Sequence, residues 1–180
     1  MINGMDRSVE QLIDEILVMD CQGGRAKAME ILVSRWQKRL WQYAYHLTKN
    51  ADAAWDITQE SWLGIIKGIR KLRDPARFRP WVYKIVTNKA NDWIRKRKNT
   101  REASIEGSTD HQHKEKKDVG VKELVQKLEF RKKVVLSLYY FEQLSVSEIS
   151  VALRIPKGTV QSRLSGARKE FKELYQKHFE

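Results

Sequence analysis

Apolar residues recur at helical spacing along most of this chain, and no stretch alternates as a half-buried strand would. Val9, Leu12, Ile13, Ile16 and Leu17 open the pattern, which Gln22-Gly23-Gly24 interrupts. A long amphipathic helix follows, with Ala28, Ile31, Leu32, Trp36, Leu40, Tyr43, Ala44 and Leu47 on its apolar side, up to a turn at Lys49-Asn50. The next, Ala51 to Lys71, is expected to bury Ala54, Ile57, Trp62, Ile65, Ile66 and Ile69. Asp74-Pro75 forces a loop, because a residue before proline avoids the helical region. A third long helix, Arg79 to Lys98, offers Val82, Ile85, Val86, Ala90, Trp93 and Ile94 to a core.

At Asn99 the character changes. NTREASIEGSTDHQHKEKKDVG is polar, charged and nearly devoid of large apolar residues, which is linker composition. Periodicity resumes at Val121 through Leu124, Val125, Leu128, Val134, Val135, Leu138 and Tyr139. The expected fold is all-α: two small helical domains, residues 1–99 and 121–180, joined by a flexible polar linker over 100–120.

The second domain ends in the most informative stretch, SVSEISVALRIPKGTVQSRLSGARKEFKEL from Ser145 to Leu174. Ser145 followed by Glu148 is a capping box, so a helix is expected from Val146. Ile149, Ala152 and Leu153 give it an apolar face. Pro156 cannot continue that helix but suits the first turn of another. Val160, Leu164, Ala167 and Phe171 then form a buried stripe, with Lys157, Thr159, Gln161, Ser162, Arg163, Ser165 and Arg168 on or beside the exposed side. Two helices so joined make a helix-turn-helix, whose second helix can enter the DNA major groove. An ordinary helical hairpin with a solvated basic face is the plainer alternative. The coincidence of capping box, turn and polar composition weighs against it.

Charge sharpens this picture. The 180 residues carry a net charge of +12, which favours a polyanionic partner. Most of the excess lies in one segment: Lys67 to Arg101 holds thirteen Lys and Arg against Asp74 and Asp92. There the run IRKLRDPARFRPWVYKIVTNKANDWIRKRK interleaves cations with Phe78, Trp81, Tyr83 and Trp93. Cations can track a phosphate backbone, and exposed rings can stack on unpaired bases. Trp93 sits on the apolar stripe and reads as core, Phe78 and Tyr83 are the better stacking candidates, and Trp81 suits either role. Asp52, Asp56 and Glu60, with Gln59 alongside, form an acidic stripe on the preceding helix. Such a stripe is most often a solvated face, and carboxylates would repel DNA.

Other classes find little support. The single Cys21 can form neither an internal disulfide nor a cysteine zinc site. No apolar run approaches the ~20 residues that span a bilayer, and the N-terminus lacks the order of a signal peptide. A cytoplasmic protein without membrane insertion is expected. His111 and His113 make an H-x-H in a charged linker with no further histidine at metal-site spacing. No nucleophile motif, glycine-rich phosphate loop or apolar acid pair is present. The expectation is a binding protein, not an enzyme, with no cofactor, metal or small-molecule substrate.

The chain resembles the extracytoplasmic-function sigma factors of bacterial RNA polymerase, within the sigma-70 family. Asp56-Ile57-Thr58-Gln59-Glu60 matches the D-x-x-Q-E of that family. Phe78-Arg79-Pro80-Trp81-Val82-Tyr83-Lys84-Ile85, Asn88 and Asp92-Trp93-Ile94-Arg95-Lys96 match its promoter-melting segment. Leu144-Ser145, Glu148-Ile149, Gly158 to Leu164 and Ala167-Arg168 match its helix-turn-helix. The resemblance implies that residues 1–99 are region 2, with Asp56, Gln59 and Glu60 binding core polymerase. It implies that Lys71, Arg73, Arg77, Phe78, Arg79, Trp81, Tyr83, Lys84, Asn88 and Arg95 recognise and melt the −10 element. It further implies that residues 121–180 are region 4, reading the −35 element, and that an anti-sigma factor is a further partner.

Three positions depart from the family pattern: Glu129-Phe130 follows Leu128 where the family often has Leu-Pro before a helix, Gln161 and Gly166 stand where family members often carry basic or larger residues, and Gly166 weakens the recognition helix by ~1 kcal/mol relative to alanine. A free-standing helix-turn-helix regulator, usually a dimer on half-sites, is the alternative function. It needs neither the acidic stripe nor the displaced basic-aromatic segment.

Overall fold

The computed structural model describes residues 9–103 and 121–179. Helices α1 (Val9–Gln22), α2 (Ala26–Thr48), α3 (Ala51–Gly68) and α4 (Phe78–Ala103) form the N-terminal half. A short α5 (Val121–Leu124), α6 (Phe130–Leu136), α7 (Val146–Leu153) and α8 (Lys157–Phe179) form the C-terminal half. Among the described residues there is no strand. The linker expected over 100–120 falls mostly outside them, as do His111 and His113. Its first residues, however, continue α4 through Ala103, past the expected boundary at Asn99.

Local chemistry sets the helix ends. Lys49 closes α2 in the left-handed region (φ 52°), its N–H bonding the Tyr45 carbonyl at 2.8 Å. The next residue, Asn50, caps α3 by accepting from the Ala53 N–H at 2.8 Å, so the sharp corner leaves few orphan groups. After α3 the chain tightens into a 3-10 turn at Ile69–Lys71, then a second at Pro75–Arg77 capped by Asp74, whose carboxylate accepts from the Ala76 N–H at 3.0 Å. Gln22 anchors this loop from α1: its amide donates to the carbonyls of Ile69 at 3.0 Å and Leu72 at 2.7 Å.

The N-terminal core gathers Leu32, Trp36, Leu40 and Tyr43 of α2, Ala54, Ile57 and Ile65 of α3, and Phe78, Val82, Tyr83 and Val86 of α4. Tyr43 is fully buried and satisfies its hydroxyl on Thr87 at 2.8 Å. Three expected stripes are narrower than their apolar residues suggested. On α1 the buried face is Asp14, Leu17, Val18 and Cys21, while Val9, Leu12 and Ile16 are exposed. Asp14 turns inward because Arg35 of α2 meets its carboxylate at 3.0 Å. Ile31 and Ile66 likewise face outward.

In the C-terminal half the Ser145–Glu148 capping box forms with both bonds in place, and α7 starts at Val146. Arg154 ends α7 in the left-handed region and Pro156 leads into α8. Val160, Leu164 and Ala167 are buried as their spacing predicts, with Phe171 half-buried. Glu129 stands at the start of α6 with no side-chain cap, and the helix still forms from Phe130 without the Leu-Pro signal. The sequence pattern was silent on how the halves meet. Val134, Val135, Leu138, Leu144, Ile149, Val160 and Leu164 join the N-terminal residues in one continuous core, with α7 packed on α4.

Candidate polymerase and nucleic-acid interfaces

Three surfaces carry the candidate residues. The first is the outer face of α3. Asp52, Asp56, Gln59 and Glu60 are all exposed, because the buried face is taken by Ala53, Ala54, Ile57, Thr58, Ser61, Trp62 and Ile65. Glu60 is engaged by Lys89 of α4 at 2.7 Å, an exposed pair of small energetic weight. Asp56 and Gln59 are therefore the freer acceptors. Leu63, 58% exposed, and Ile66 continue the face toward the end of α3, and Trp55 lies beside it. A face that is acidic at one end and apolar at the other suits a protein partner better than nucleic acid.

The second surface is the loop between α3 and α4 with the start of α4. Gly68, Lys71, Leu72, Arg73, Asp74, Arg77, Trp81 and Lys84 line an open cleft of about 670 Å³, joined by Arg154 from the C-terminal half. Only one carboxylate, Asp74, stands among these cations, and Arg77 lies 3.5 Å from it. Lys84 feels the crowding: partial burial and the charge of Arg154 push its ammonium below its ordinary value. Trp81 packs over Gly68, leaving its indole half-buried at the cleft. Asn88 and Arg95 lie exposed further along α4, Arg95 paired with Asp92 at 3.1 Å.

Two candidates for base stacking are core residues in this arrangement. Phe78 is 1% exposed and Tyr83 is 0% exposed. The Phe78 ring meets Trp36 edge-on with centroids 5.4 Å apart, and Tyr83 meets Tyr43 edge-on at 5.1 Å. The reason is the face they occupy: Phe78, Val82, Val86 and Ala90 recur every four residues on the inner side of α4, Tyr83 stands beside them, and the helix takes in Phe78, ahead of the expected start at Arg79. Trp93, read as core, is half-buried with the Arg97 guanidinium 5.3 Å over its ring. Arg79 is turned toward the C-terminal half, donating to the Glu142 carbonyl. Of the aromatic candidates, Trp81 is the one set at the cationic cleft.

The third surface is the first half of α8. Lys157, Gln161, Ser162 and Ser165 are exposed, with Thr159 and Arg163 partly so. Ser162 donates to the Thr159 carbonyl at 3.0 Å, which holds its hydroxyl against the helix. Arg168, though exposed, is already engaged: its Nε donates to the Tyr140 hydroxyl at 2.8 Å and its guanidinium sits over the rings of Tyr139 and Tyr140. Sequence reasoning missed this pair, since Tyr140 lies in the π-helical turn Ser137–Phe141 that no pattern announced.

Among the described residues no three His, Cys, Asp or Glu side chains converge as metal ligands, and no helix is long and apolar enough to cross a membrane. Cys21 is a free, buried thiol pushed up by burial and by neighbouring Asp20.

Comparison with known proteins places the chain in a family. Residues 32–100 match the Sigma-70 region 2 family and residues 119–171 match Sigma-70 region 4. The RNA polymerase sigma factor SigV of Bacillus subtilis is 33% identical over 136 residues, covering 72% of this chain and 80% of the relative. The ECF RNA polymerase sigma factor SigE of Mycolicibacterium smegmatis is 28% identical over 176 residues, 89% of this chain and 67% of the relative. In fold, the chain resembles CnrH, solved in complex with the cytosolic domain of CnrY (TM-score 0.72, 23% identity, 91% of this chain and 97% of that one). It also resembles the sigma factor RpoE of Bartonella quintana, solved with the anti-sigma factor NepR (TM-score 0.69, 20% identity, 84% and 98%). The chain belongs to the sigma-70 family of RNA polymerase sigma factors, in its extracytoplasmic-function group.

Proposed function

We propose that this protein binds core RNA polymerase and directs it to promoters, acting as a specificity subunit and not as a catalyst. The observation that carries the reading is the separation of surfaces. The exposed α3 face with Asp56 and Gln59 would repel DNA, while the cationic cleft at Trp81 and the polar face of α8 suit a polyanion. A regulator acting on duplex DNA alone would have no use for the first.

In this reading residues 1–99 dock on polymerase and engage the −10 element, and residues 121–180 read the −35 element. Lys71, Arg73, Arg77, Lys84 and Arg95 hold phosphates of the −10 strand, and Trp81 stacks on a base once the strands part. Asn88 is available to a base edge. Lys157, Thr159, Gln161, Ser162, Arg163 and Ser165 face the −35 major groove. The site of action is the cytoplasm, and an anti-sigma factor is the expected regulator, in keeping with the similar RpoE–NepR complex.

Co-purification with core polymerase tests the docking claim. The wild-type chain should be retained, and Asp56→Lys should abolish retention with helical content intact, because Asp56 is exposed and its removal disturbs no core contact. Full retention of that variant would overturn the assignment of this face.

A further inference from the structure

Helix α1 is apolar on two opposite faces. Its inner side, Leu17, Val18 and Cys21 with the Arg35-bound Asp14, completes the N-terminal core. Val9, Leu12, Ile16 and Met19 lie on the other side, each between 46% and 71% exposed. A surface helix needs one apolar stripe, and a helix apolar all round is one that is covered all round. Four large apolar side chains in an unbroken row mark an interaction face.

Their spacing says what shape fits that face. The four recur at the a and d positions of two heptads, with β-branched Val9 and Ile16 at a and Leu12 and Met19 at d. That choice favours a second helix lying alongside in a two-stranded parallel coil. The flanking e and g positions are Ile13, Glu15, Asp20 and Gln22, so both charges beside the seam are acidic. No Lys or Arg occurs anywhere in α1. Asp20 meets Arg25 at 3.1 Å, an exposed pair that yields to a competing cation at small cost. Glu15 lines, with Asp74 and Arg77, the cleft on its other side.

These charges decide between occupants. Parallel pairing with a second copy would set Glu15 of each helix against Asp20 of the other, g against e, and like charges there oppose association. In antiparallel register the two Glu15 side chains would meet near the centre. A helix lying on a membrane carries Lys and Arg beside its apolar face, the reverse of what flanks this one. A polyanion is repelled for the same reason.

We propose that the outer face of α1 docks one amphipathic helix of a partner protein, apolar at its a and d positions and carrying Lys or Arg at the e and g positions that meet Glu15 and Asp20. The inference stands apart from the promoter reading, because the α3 face, the cationic cleft and α8 belong to other elements.

The test is fluorescence anisotropy of the full chain with two labelled peptides of about three heptads, each with Ile at a and Leu at d. One carries Lys at every e and g position and the other Glu. The Lys peptide should bind saturably and at least about tenfold more tightly than the Glu peptide. Ile16→Asp, on an exposed side chain, should weaken the Lys peptide by about tenfold or more with helical content intact. If that variant loses helical content, Leu12→Asp decides the matter. Exchanging both flanking charges, Glu15→Lys with Asp20→Lys, should reverse the preference between the peptides. The reversal assigns the binding to α1, since the acidic face of α3 is unchanged in that variant. Absence of saturable binding, or a preference that the exchange does not reverse, would overturn the proposal. So would a dimer of the chain alone in sedimentation that Ile16→Asp abolishes, which would give the face to a second copy. Binding to phosphatidylcholine–phosphatidylglycerol vesicles that the same variant abolishes would overturn it in favour of a lipid surface. Because neither polymerase nor promoter DNA is present, each of these failures leaves the promoter reading standing.

Discussion

Trp81 rests so closely on Gly68 that a Cβ on the glycine would stand 2.8 Å from the indole Cζ2. Gly68 has ordinary right-handed backbone angles, so alanine there is opposed by the ring alone and not by the chain. Gly68→Ala should therefore displace Trp81 from the cleft at an overpacking cost of about 1–3 kcal/mol. Both Gly68→Ala and Trp81→Ala should slow promoter opening more than closed-complex binding, since a base–aromatic stack worth ~1–3 kcal/mol forms only after the strands part. Permanganate reactivity of −10 thymines, with a pre-melted bubble template as the rescue, checks this. Normal opening of duplex by both variants would remove Trp81 from the melting step.

Phe78→Ala should behave otherwise. Its ring is packed edge-on against Trp36, so the substitution should cost about 3–5 kcal/mol of stability. Thermal denaturation of the free protein reads the difference. A Phe78→Ala variant as stable as the parent would contradict the core placement.

The cations of the cleft should act through phosphate. Lys71→Ala and Arg73→Ala should each weaken binding to all promoter sequences alike and reduce the salt slope of binding by about 1. The measurement is holoenzyme–promoter affinity across a salt series. Sequence-selective losses would indicate base contacts instead.

On the recognition helix, Arg163 and Arg168 should separate. Arg163→Ala should cost ~1–3 kcal/mol at one base position if it is bidentate to guanine. Arg168→Ala loses the Tyr140 hydrogen bond and its place over two rings, so it should lower stability by about 1 kcal/mol. Sequence preference should barely move. Binding to −35 point variants, paired with denaturation, distinguishes them.

Gly166→Ala should stabilise the protein by about 0.5–1 kcal/mol. The added Cβ would meet only the Lys132 Cε, at an ordinary 3.5 Å, and alanine is the better helix former. Chemical denaturation checks it, and a destabilised variant would contradict the packing described between α6 and α8.

Much of this was legible in the residues. The Ser145–Glu148 box, the break at Asp74-Pro75 and, apart from Ile31, the inner stripe of α2 follow from local chemistry and appear as expected. The exposed acidic face of α3 was readable from spacing, though its role required the family resemblance. What spacing could not supply was the full inward face of α4, where Phe78 and Tyr83 pack beside Val82 and Val86 against Trp36 and Tyr43 of α2. Nor could it supply contacts made across the chain. Arg35 draws Asp14 inward, Tyr140 occupies Arg168, and Glu142 meets Tyr83 from 59 positions away. Those depend on tertiary packing that no window of sequence contains.

The most direct measurement is transcription from a pool of promoters by core polymerase with and without this protein. Start sites confined to templates sharing one −10 and one −35 sequence should appear only when the protein is added, and Asp56→Lys should abolish them all. Sequence-specific binding of the chain to duplex DNA without polymerase, with no such starts, would contradict the account and favour a free-standing regulator.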